Sequence, residues 1–196
     1  MNTTLLAVFG ITSGVLNLIG LAPYILDIFR KKTQPERATW WIWSVLNFIA
    51  LAALIDAGAG WQLAMNAAQT ISVTLIAFLS LKYGFGKFHK KDFISLIIAL
   101  AGVALWRFTH QPILALLIVV AIDALGTWLT VTKTWKAPHT ETYIAWVIAS
   151  VSAAFGVMAV GEWSFTKLLY PLYIALADTL LTVIIFYRRP LIKNRG

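Results

Sequence analysis

Long apolar blocks, separated by short polar and charged stretches, run the length of this 196-residue chain. A transmembrane α-helix needs about 20 mainly apolar residues, and most of these blocks are of that length. The pattern therefore predicts an all-α membrane protein with seven transmembrane helices, at approximately Thr4–Phe29, Ala38–Ile55, Trp61–Leu81, Phe93–Trp106, Pro112–Thr134, Thr142–Val160 and Phe165–Tyr187.

The overall composition agrees with the pattern. Hydrophobic residues make up 60% of the chain and charged residues only 12%, whereas soluble domains have about 45–50% and about 25%. The first ten residues contain no base, so the first block is expected to be a span and not a cleaved signal peptide. The sequence has no Cys, which excludes disulfides and thiolate metal sites.

The basic residues predict how the chain is oriented. Of the 16 Lys and Arg residues, 14 lie in 30–37, 82–91, 133–136 and after Tyr187, and seven helices would place all of these on one side. By the positive-inside rule, the N-terminus is then outside and the C-terminus is cytoplasmic. The net charge of +8 reflects this topology and an attraction to anionic lipid headgroups. A nucleic-acid partner is not expected.

The two halves of the chain show a repeated pattern. At an offset of 103 residues, helix 1 matches helix 5 and helix 2 matches helix 6, and a further shift of six residues matches helix 3 with helix 7. The paired positions are Gly20/Asp123, Tyr24/Thr127, Asp27/Thr130, Trp43/Trp146 and Gln69/Asp178. This predicts 3+1+3 parallel repeats of a three-helix bundle: residues 1–84, a linker with its helix at 85–108, and 109–196 with the basic tail.

Polar residues recur at helical spacing within these blocks. In helix 1 a polar or small stripe follows steps of four and three, and it comprises Ser13, Asn17, Gly20, Tyr24 and Asp27. Helices 2, 5 and 6 carry similar stripes. Such faces are expected to meet around a central axis.

Three short segments carry a family resemblance: Gly20–Tyr24 (GLAPY), Phe29–Thr33 (FRKKT) and the aromatic-rich Trp40–Asn47. Together they resemble the first repeat of the PQ-loop, SWEET and KDEL-receptor superfamily. The resemblance implies a seven-helix bundle that alternately exposes a central pocket. Members carry sugars, cystine or cationic amino acids, and one branch binds peptide retrieval signals. Asp178 looks like the mid-helix acid of the proton-coupled lysosomal members.

Two acidic residues are predicted near the middle of spans. A central Asp costs about 2.5–3.5 kcal/mol on insertion scales, so Asp123 and Asp178 are functional candidates. The alternative is that each is protonated and joins helices by hydrogen bonds. Asp27 lies three residues from Arg30, and a local ion pair is expected there.

The remaining site candidates are polar or aromatic residues inside the spans. The predicted binding residues are Asn17, Trp43, Asn47, Asn66, Gln69, Asp123, Thr127, Trp146, Ser150 and Asp178, with Pro23 as a hinge. For the amides, helix–helix bonding and ligand contact both stay open. Trp40, Trp41 and Trp135 are expected in an aromatic belt at the inner interface, and Thr33 is expected to cap helix 2.

No enzyme chemistry is indicated. His89, His110 and His139 lie far apart, and no catalytic or metal-binding motif is present. Neither a cofactor nor a metal is expected.

The sequence favours a secondary transporter or facilitator for a small polar solute (a sugar, amino acid or amine) by alternating access, with proton coupling through Asp178 and Asp123. A receptor that binds a ligand in the same pocket is the alternative, and a bare scaffold is a third. The expected partners are the solute and the bilayer. A homo-oligomer stays open, because Gly10-x-x-x-Gly14 permits close helix contact within or between protomers.

Overall fold

The computed structural model of this chain describes residues 2–85, 87, 90–162 and 164–193. The fold is 85% helical, and no strand occurs among these residues. The α-helices are α1 (Thr3–Phe29), α2 (Arg37–Asp56), α3 (Leu63–Tyr83), α4 (Lys90–Thr109), α5 (Pro112–Lys136), α6 (Tyr143–Met158) and α7 (Phe165–Lys193). A short 3-10 turn, Pro138–Thr140, lies between α5 and α6.

Each predicted apolar block falls on one of these helices, although the bounds differ. Helix α4 extends beyond its predicted block at both ends, and α6 is shorter than its block, with 16 residues. Residues 1, 86, 88, 89, 163 and 194–196 lie outside the described part of the chain. Part of the predicted linker, His89 and the end of the basic tail therefore fall there.

Five helices, α1, α2, α3, α5 and α7, are long and apolar enough to cross a membrane. Helix α6 is apolar but shorter. Large apolar side chains are exposed on the outer surface, for example Trp128 at 65%, Leu176 at 65% and Phe186 at 69%. An apolar exterior of this kind suits contact with lipid, and the fold is compatible with a multi-pass membrane protein.

The helix contacts form a closed ring. Helix α3 packs against α1 and α2, α7 packs against α5 and α6, and the contacts of α1 with α6 and of α2 with α5 join the two groups. Helix α4 packs outside this ring, against α5 and α2. We call the end formed by segments 30–36 and 133–142 the basic end, and the end at which α1 begins the opposite end.

Close backbone approach holds α1 against its neighbours toward the opposite end. A Cβ atom on Gly14 would lie 2.9 Å from the Ala64 carbonyl oxygen, and one on Gly10 would collide with the Trp61 backbone. The glycine pair thus packs α1 against α3 within one chain. On another face, the Ser13 hydroxyl donates to the Ser152 carbonyl at 2.5 Å, and the Ser152 hydroxyl donates back to the Ser13 carbonyl at 2.8 Å.

The start of α2 differs from the prediction. Glu36 is the N-cap, and its carboxylate accepts from the Thr39 N–H at 2.6 Å. Thr33, predicted as the cap, lies three residues earlier, and its buried hydroxyl bonds to the Thr142 hydroxyl at 2.7 Å. The capping prediction was wrong because an acidic N-cap suits the positive end of the helix dipole equally well.

Candidate functional site

A central cavity lies inside the ring of six helices. The space open to the centre of a water-sized sphere is about 100 Å³, which is room for several water molecules or a small solute, since one water needs about 10–15 Å³ on this measure. The cavity is lined by Asn17, Gly20, Leu21, Tyr24, Trp40, Trp43, Asn47, Gln69, Ser72, Val73, Ile76, Asp123, Thr127, Ala145, Trp146, Ala149, Ile174, Ala177, Asp178 and Leu181. Every ring helix contributes to this wall.

Most of the predicted binding residues meet in this cavity. Eight of the ten are in its lining: Asn17, Trp43, Asn47, Gln69, Asp123, Thr127, Trp146 and Asp178. They come from α1, α2, α3, α5, α6 and α7, so residues far apart in sequence face one space. Pro23 lies inside α1, directly before the lining residue Tyr24, and the helix continues through it.

Asn66 and Ser150 are not in the lining. Asn66 is buried toward the opposite end, where its amide donates to the Gln62 carbonyl at 2.9 Å. The Ser150 hydroxyl contacts the Trp146 carbonyl at 2.8 Å and the Thr182 hydroxyl at 2.9 Å, so it joins α6 to α7. Both residues lie at the helical spacing of lining residues, but their hydrogen bonds are made to neighbouring groups outside the cavity lining.

The two carboxyl groups of the cavity differ in their bonding. Asp123 accepts from the Tyr173 hydroxyl at 2.6 Å and from the Thr127 hydroxyl at 3.2 Å, and those two hydroxyls lie 2.9 Å apart. Asp178 is 9% exposed and has no hydrogen-bond partner among the described residues. One carboxyl is thus fixed by a hydrogen-bonded cluster, while the other is open to the cavity.

Aromatic side chains form the wall toward the basic end. The Tyr24 and Trp40 ring centroids are 5.3 Å apart, and those of Trp40 and Trp43 are 5.2 Å apart in an edge-to-face arrangement. Trp146 contributes from α6. Trp40 was predicted to lie in an interfacial belt, but it is 8% exposed and lines the cavity. The prediction of an interfacial position rested on its place near the start of α2, beside a basic segment.

A glycine on α5 makes room for one of these rings. A Cβ atom on Gly126 would lie 2.9 Å from Trp43 Nε1. That buried indole N–H has no hydrogen-bond partner among the described residues. The absence of a side chain at Gly126 therefore lets α2 and α5 approach with the indole between them.

Glu141 lies next to the cavity at the basic end, where it contacts two of the lining residues. Its carboxylate accepts from Trp146 Nε1 at 3.0 Å and from the Tyr24 hydroxyl at 3.5 Å, and it forms a salt bridge with Lys133 at 2.8 Å. Only 3% of the Glu141 side chain is exposed. Sequence reasoning missed Glu141 because it lies between two predicted spans. A lone acid in an otherwise basic segment was the available signal.

Asp27 takes part in the adjoining polar contacts at this end. The Thr142 hydroxyl donates to Asp27 Oδ2 at 3.0 Å, and no ion pair joins Asp27 to Arg30 in the described structure. The predicted local ion pair was therefore wrong, since a threonine on the facing element provides the partner. Beyond Glu141 lies a second depression, whose walls include Asp27, Lys31, Lys32, His139 and Arg189.

The opposite side of the cavity is filled by side chains. Leu54, Met65, Leu116 and Tyr170 are each at most 1% exposed, and Met65 packs directly onto Gly156. Packed side chains thus lie between the cavity and the opposite end.

No cluster of His, Cys, Asp and Glu that could hold a metal ion is found among the described residues.

No protein-family model matches this chain, and neither a curated protein nor a solved structure gives a significant match. The comparisons thus identify no family.

Proposed function

We propose that this chain is a secondary transporter or facilitator that carries a small polar solute by alternating access, with proton coupling through Asp178 and Asp123. The observation that carries the proposal is the central cavity, which every helix of the ring lines and which contains two buried carboxyl groups. Ionisable residues deep in a membrane bundle are costly and commonly mark transport pathways.

In this proposal all seven helices cross the membrane, with the N-terminus outside and the basic end in the cytoplasm. The five long apolar helices support several spans, and α4 and α6 would supply the other two. The support for orientation is the 14-to-2 distribution of Lys and Arg.

A two-fold relation between α1–α3 and α5–α7 is part of the same proposal. Exchanging the two groups converts the contacts of α3 with α1 and α2 into those of α7 with α5 and α6, and it exchanges the two junctions α1–α6 and α2–α5. Equivalent positions at the sequence offset also meet in one cavity lining, namely Gly20/Asp123, Tyr24/Thr127, Trp43/Trp146 and Gln69/Asp178. Repeats of this kind commonly place the substrate site at their interface.

The different contacts at the two ends suit alternating access. The opposite end is filled by large packed side chains, whereas polar contacts, including those of Glu141, join the helices at the basic end. Proline can act as a hinge by removing a helical hydrogen bond. Pro23 lies in α1 and Pro171 in α7, and we assign both as candidate hinges. The resemblance of 20–47 to PQ-loop and SWEET proteins points the same way.

The bonding of the two acids supports different roles. Asp123 joins α5 to α7 through Tyr173, which is the behaviour of a residue that holds helices together. Asp178 makes no such bond within the described structure, so helix bonding does not account for it. A carboxyl group in a water-poor interior is costly when charged unless a proton or cation neutralises it. Asp178 is therefore the proposed proton carrier.

The proposal is tested by the uptake of a sugar, amino acid or amine into proteoliposomes, measured with and without a pH gradient. Asp178→Asn keeps the shape of the side chain but cannot exchange a proton, so the folded variant should lose the response to pH while any passive flux remains. Asp123→Asn is the matched comparison, since an amide oxygen can still accept from Tyr173. If the response to pH is unchanged in a well-folded Asp178→Asn protein, the proton-coupling part of the proposal is wrong.

Binding without flux would instead favour the receptor alternative. A screen of sugars, amino acids and amines by thermal shift separates the two functions from a scaffold, because a bound ligand raises apparent stability by mass action. A solute that stabilises the protein but does not cross proteoliposomes would indicate a receptor. If no compound in the screen stabilises the protein, the result favours a scaffold.

A further inference from the structure

The charged side chains of the cavity lining are all acidic. Asp123 and Asp178 line the cavity, and no Lys, Arg or His is among its lining residues. Outside the lining, the ammonium group of Lys133 is held by Glu141 at 2.8 Å and by the Gln34 carbonyl at 3.0 Å. A solute in the cavity therefore meets negative charge without a basic side chain beside it.

The two acids of the lining differ in whether the protein already provides a hydrogen-bond donor. The Tyr173 and Thr127 hydroxyls already occupy Asp123 Oδ2. Asp178 has no such donor among the described residues, and its side chain borders the open space. A buried carboxylate without a partner is unfavourable. A ligand that brings positive charge would remove this cost.

The aromatic residues of the lining suit the same kind of ligand. Tyr24, Trp40, Trp43 and Trp146 are buried and line the cavity from α1, α2 and α6. Aromatic faces attract ammonium groups through the ring quadrupole, with Trp the most effective, and sites for quaternary ammonium ligands are commonly built from such rings. A carboxylate and indole rings in one cavity lining are the two elements of a cation site.

We infer that the solute is a small organic cation, an amine or quaternary ammonium compound, with Asp178 as its counter-ion and the Trp and Tyr rings around its ammonium group. This inference rests on the proposed function and narrows it. A zwitterionic amino acid would place its carboxylate near two aspartates without a basic residue to pair with. A neutral sugar could donate hydrogen bonds to the carboxylate but would not neutralise its charge.

Proton and cation then compete for one carboxyl group. Protonation of Asp178 removes the charge to which the cation binds, so binding should weaken as pH falls. The other titratable groups that face Asp178 are Asp123 on α5 and Tyr170 and Tyr173 on α7 itself, and Tyr24 of α1 is in the same lining. Helices α2 and α6 contribute no titratable side chain to the lining.

Choline and its uncharged carbon isostere, 3,3-dimethyl-1-butanol, are the probes that test the inference, because they have nearly the same shape and differ in charge. Binding to the purified full-length protein is measured by thermal shift and calorimetry at acidic and at mildly alkaline pH. We expect choline to bind at least about tenfold more tightly than the isostere, and more tightly at alkaline than at acidic pH. This comparison needs no variant.

Asp178→Asn should abolish the preference for choline over the isostere. The neighbouring Thr179→Val is the matched control, since Thr179 is exposed and its hydroxyl bonds only to the Ala175 carbonyl of its own helix. Equal binding of choline and the isostere would overturn the inference. Tighter binding of a sugar or amino acid than of choline, unchanged by Asp178→Asn, would also overturn the inference. That result would leave the proposed carrier function standing. If no probe, sugar or amino acid binds, both proposals fail.

Discussion

The polar side chains of the cavity differ in whether their polar atoms have hydrogen-bond partners. Asp123 has two hydroxyl donors, whereas Asp178 and the Trp43 N–H have no partner among the described residues. Buried polar groups are normally bonded, because an unpaired one costs about 1–3 kcal/mol. The Trp43 N–H is buried against Gly126, so the unpaired Asp178 carboxyl in the lining is the reason to expect that something binds there.

Gly126 allows a test of the cavity wall by a single methyl group. In Gly126→Ala the new Cβ would lie 2.9 Å from Trp43 Nε1, so the indole must shift. Overpacking of this kind typically costs about 1–3 kcal/mol. We therefore expect a lower melting temperature and weaker solute binding, measured by thermal unfolding of the purified protein.

Gly60→Ala is the control for that substitution. The nearest atom to a Cβ there is Gln62 Oε1 at 3.6 Å, which is ordinary contact, so stability should change little. If Gly126→Ala is as stable as Gly60→Ala and binds normally, the described contact between α5 and Trp43 is not a constraint on the cavity.

At the scale of helices and their connections, polar contacts hold the basic end together. Glu141, from the segment between α5 and α6, links Lys133 of α5, Trp146 of α6 and Tyr24 of α1. The other end is held by glycine-mediated backbone contact and reciprocal serine bonds. Loss of the charge on Glu141 should therefore weaken contacts among three helices at the basic end.

Glu141→Gln is predicted to loosen the basic end. The amide keeps one oxygen that can accept from Trp146, but it removes the charge that pairs with Lys133. A cysteine placed at the lining position Ala149 should then react faster with a membrane-impermeant thiol reagent applied from the basic end. The chain has no native Cys, so this cysteine is the only target.

Glu162→Gln is the matched comparison, because it breaks the described 2.7 Å ion pair with Lys167, at a site where Glu162 is 64% exposed. Exposed ion pairs contribute about 1 kcal/mol or less, and this one lies away from the cavity lining. The labelling rate should stay at that of the parent. An equal rate in Glu141→Gln would show that Glu141 does not control access.

The arrangement of the whole molecule in a membrane is testable with two single cysteines. If all seven helices cross, Thr3 and Lys90 lie on opposite sides, and Thr3 is outside by the positive-inside rule. Thr3→Cys should be labelled by an impermeant reagent in intact cells, and Lys90→Cys only after permeabilisation. Labelling of both positions from the same side would refute the seven-span arrangement.

Hydropathy was enough to predict the helices, since every apolar block coincides with one. The local ends were harder to predict. Thr33 and Glu36 are both competent caps, and the choice depends on Thr142, which is 109 residues away from Thr33. The Asp27–Arg30 pair failed for the same reason, because the partner lies on another element. Sequence spacing reports neighbours on one helix and not those across an interface.

Helical spacing also predicted much of the cavity wall, because polar residues on one face of a buried helix are costly elsewhere. The spacing could not indicate at which level along the helix axis the cavity lies. Asn66 lies one turn from the lining residue Gln69, yet large side chains fill the space around it. Glu141 and Tyr173 were not predicted as site residues, because a loop acid and a tyrosine in an apolar span are each common in isolation. Their roles arise from partners on other helices.

The carboxyl group of Asp178, unpaired among the described residues, has a consequence for how transport responds to the membrane potential. A potential acts on a transport cycle with about 2.3 kcal/mol per elementary charge for every 100 mV. If Asp178 carries either a proton or a monovalent cation, both loaded forms have the same net charge, and exchanging one for the other moves no charge across the bilayer. The rate of exchange in voltage-clamped proteoliposomes should then depend on the pH gradient and not on the voltage. A voltage-driven flux would mean that the cation crosses without a returning proton.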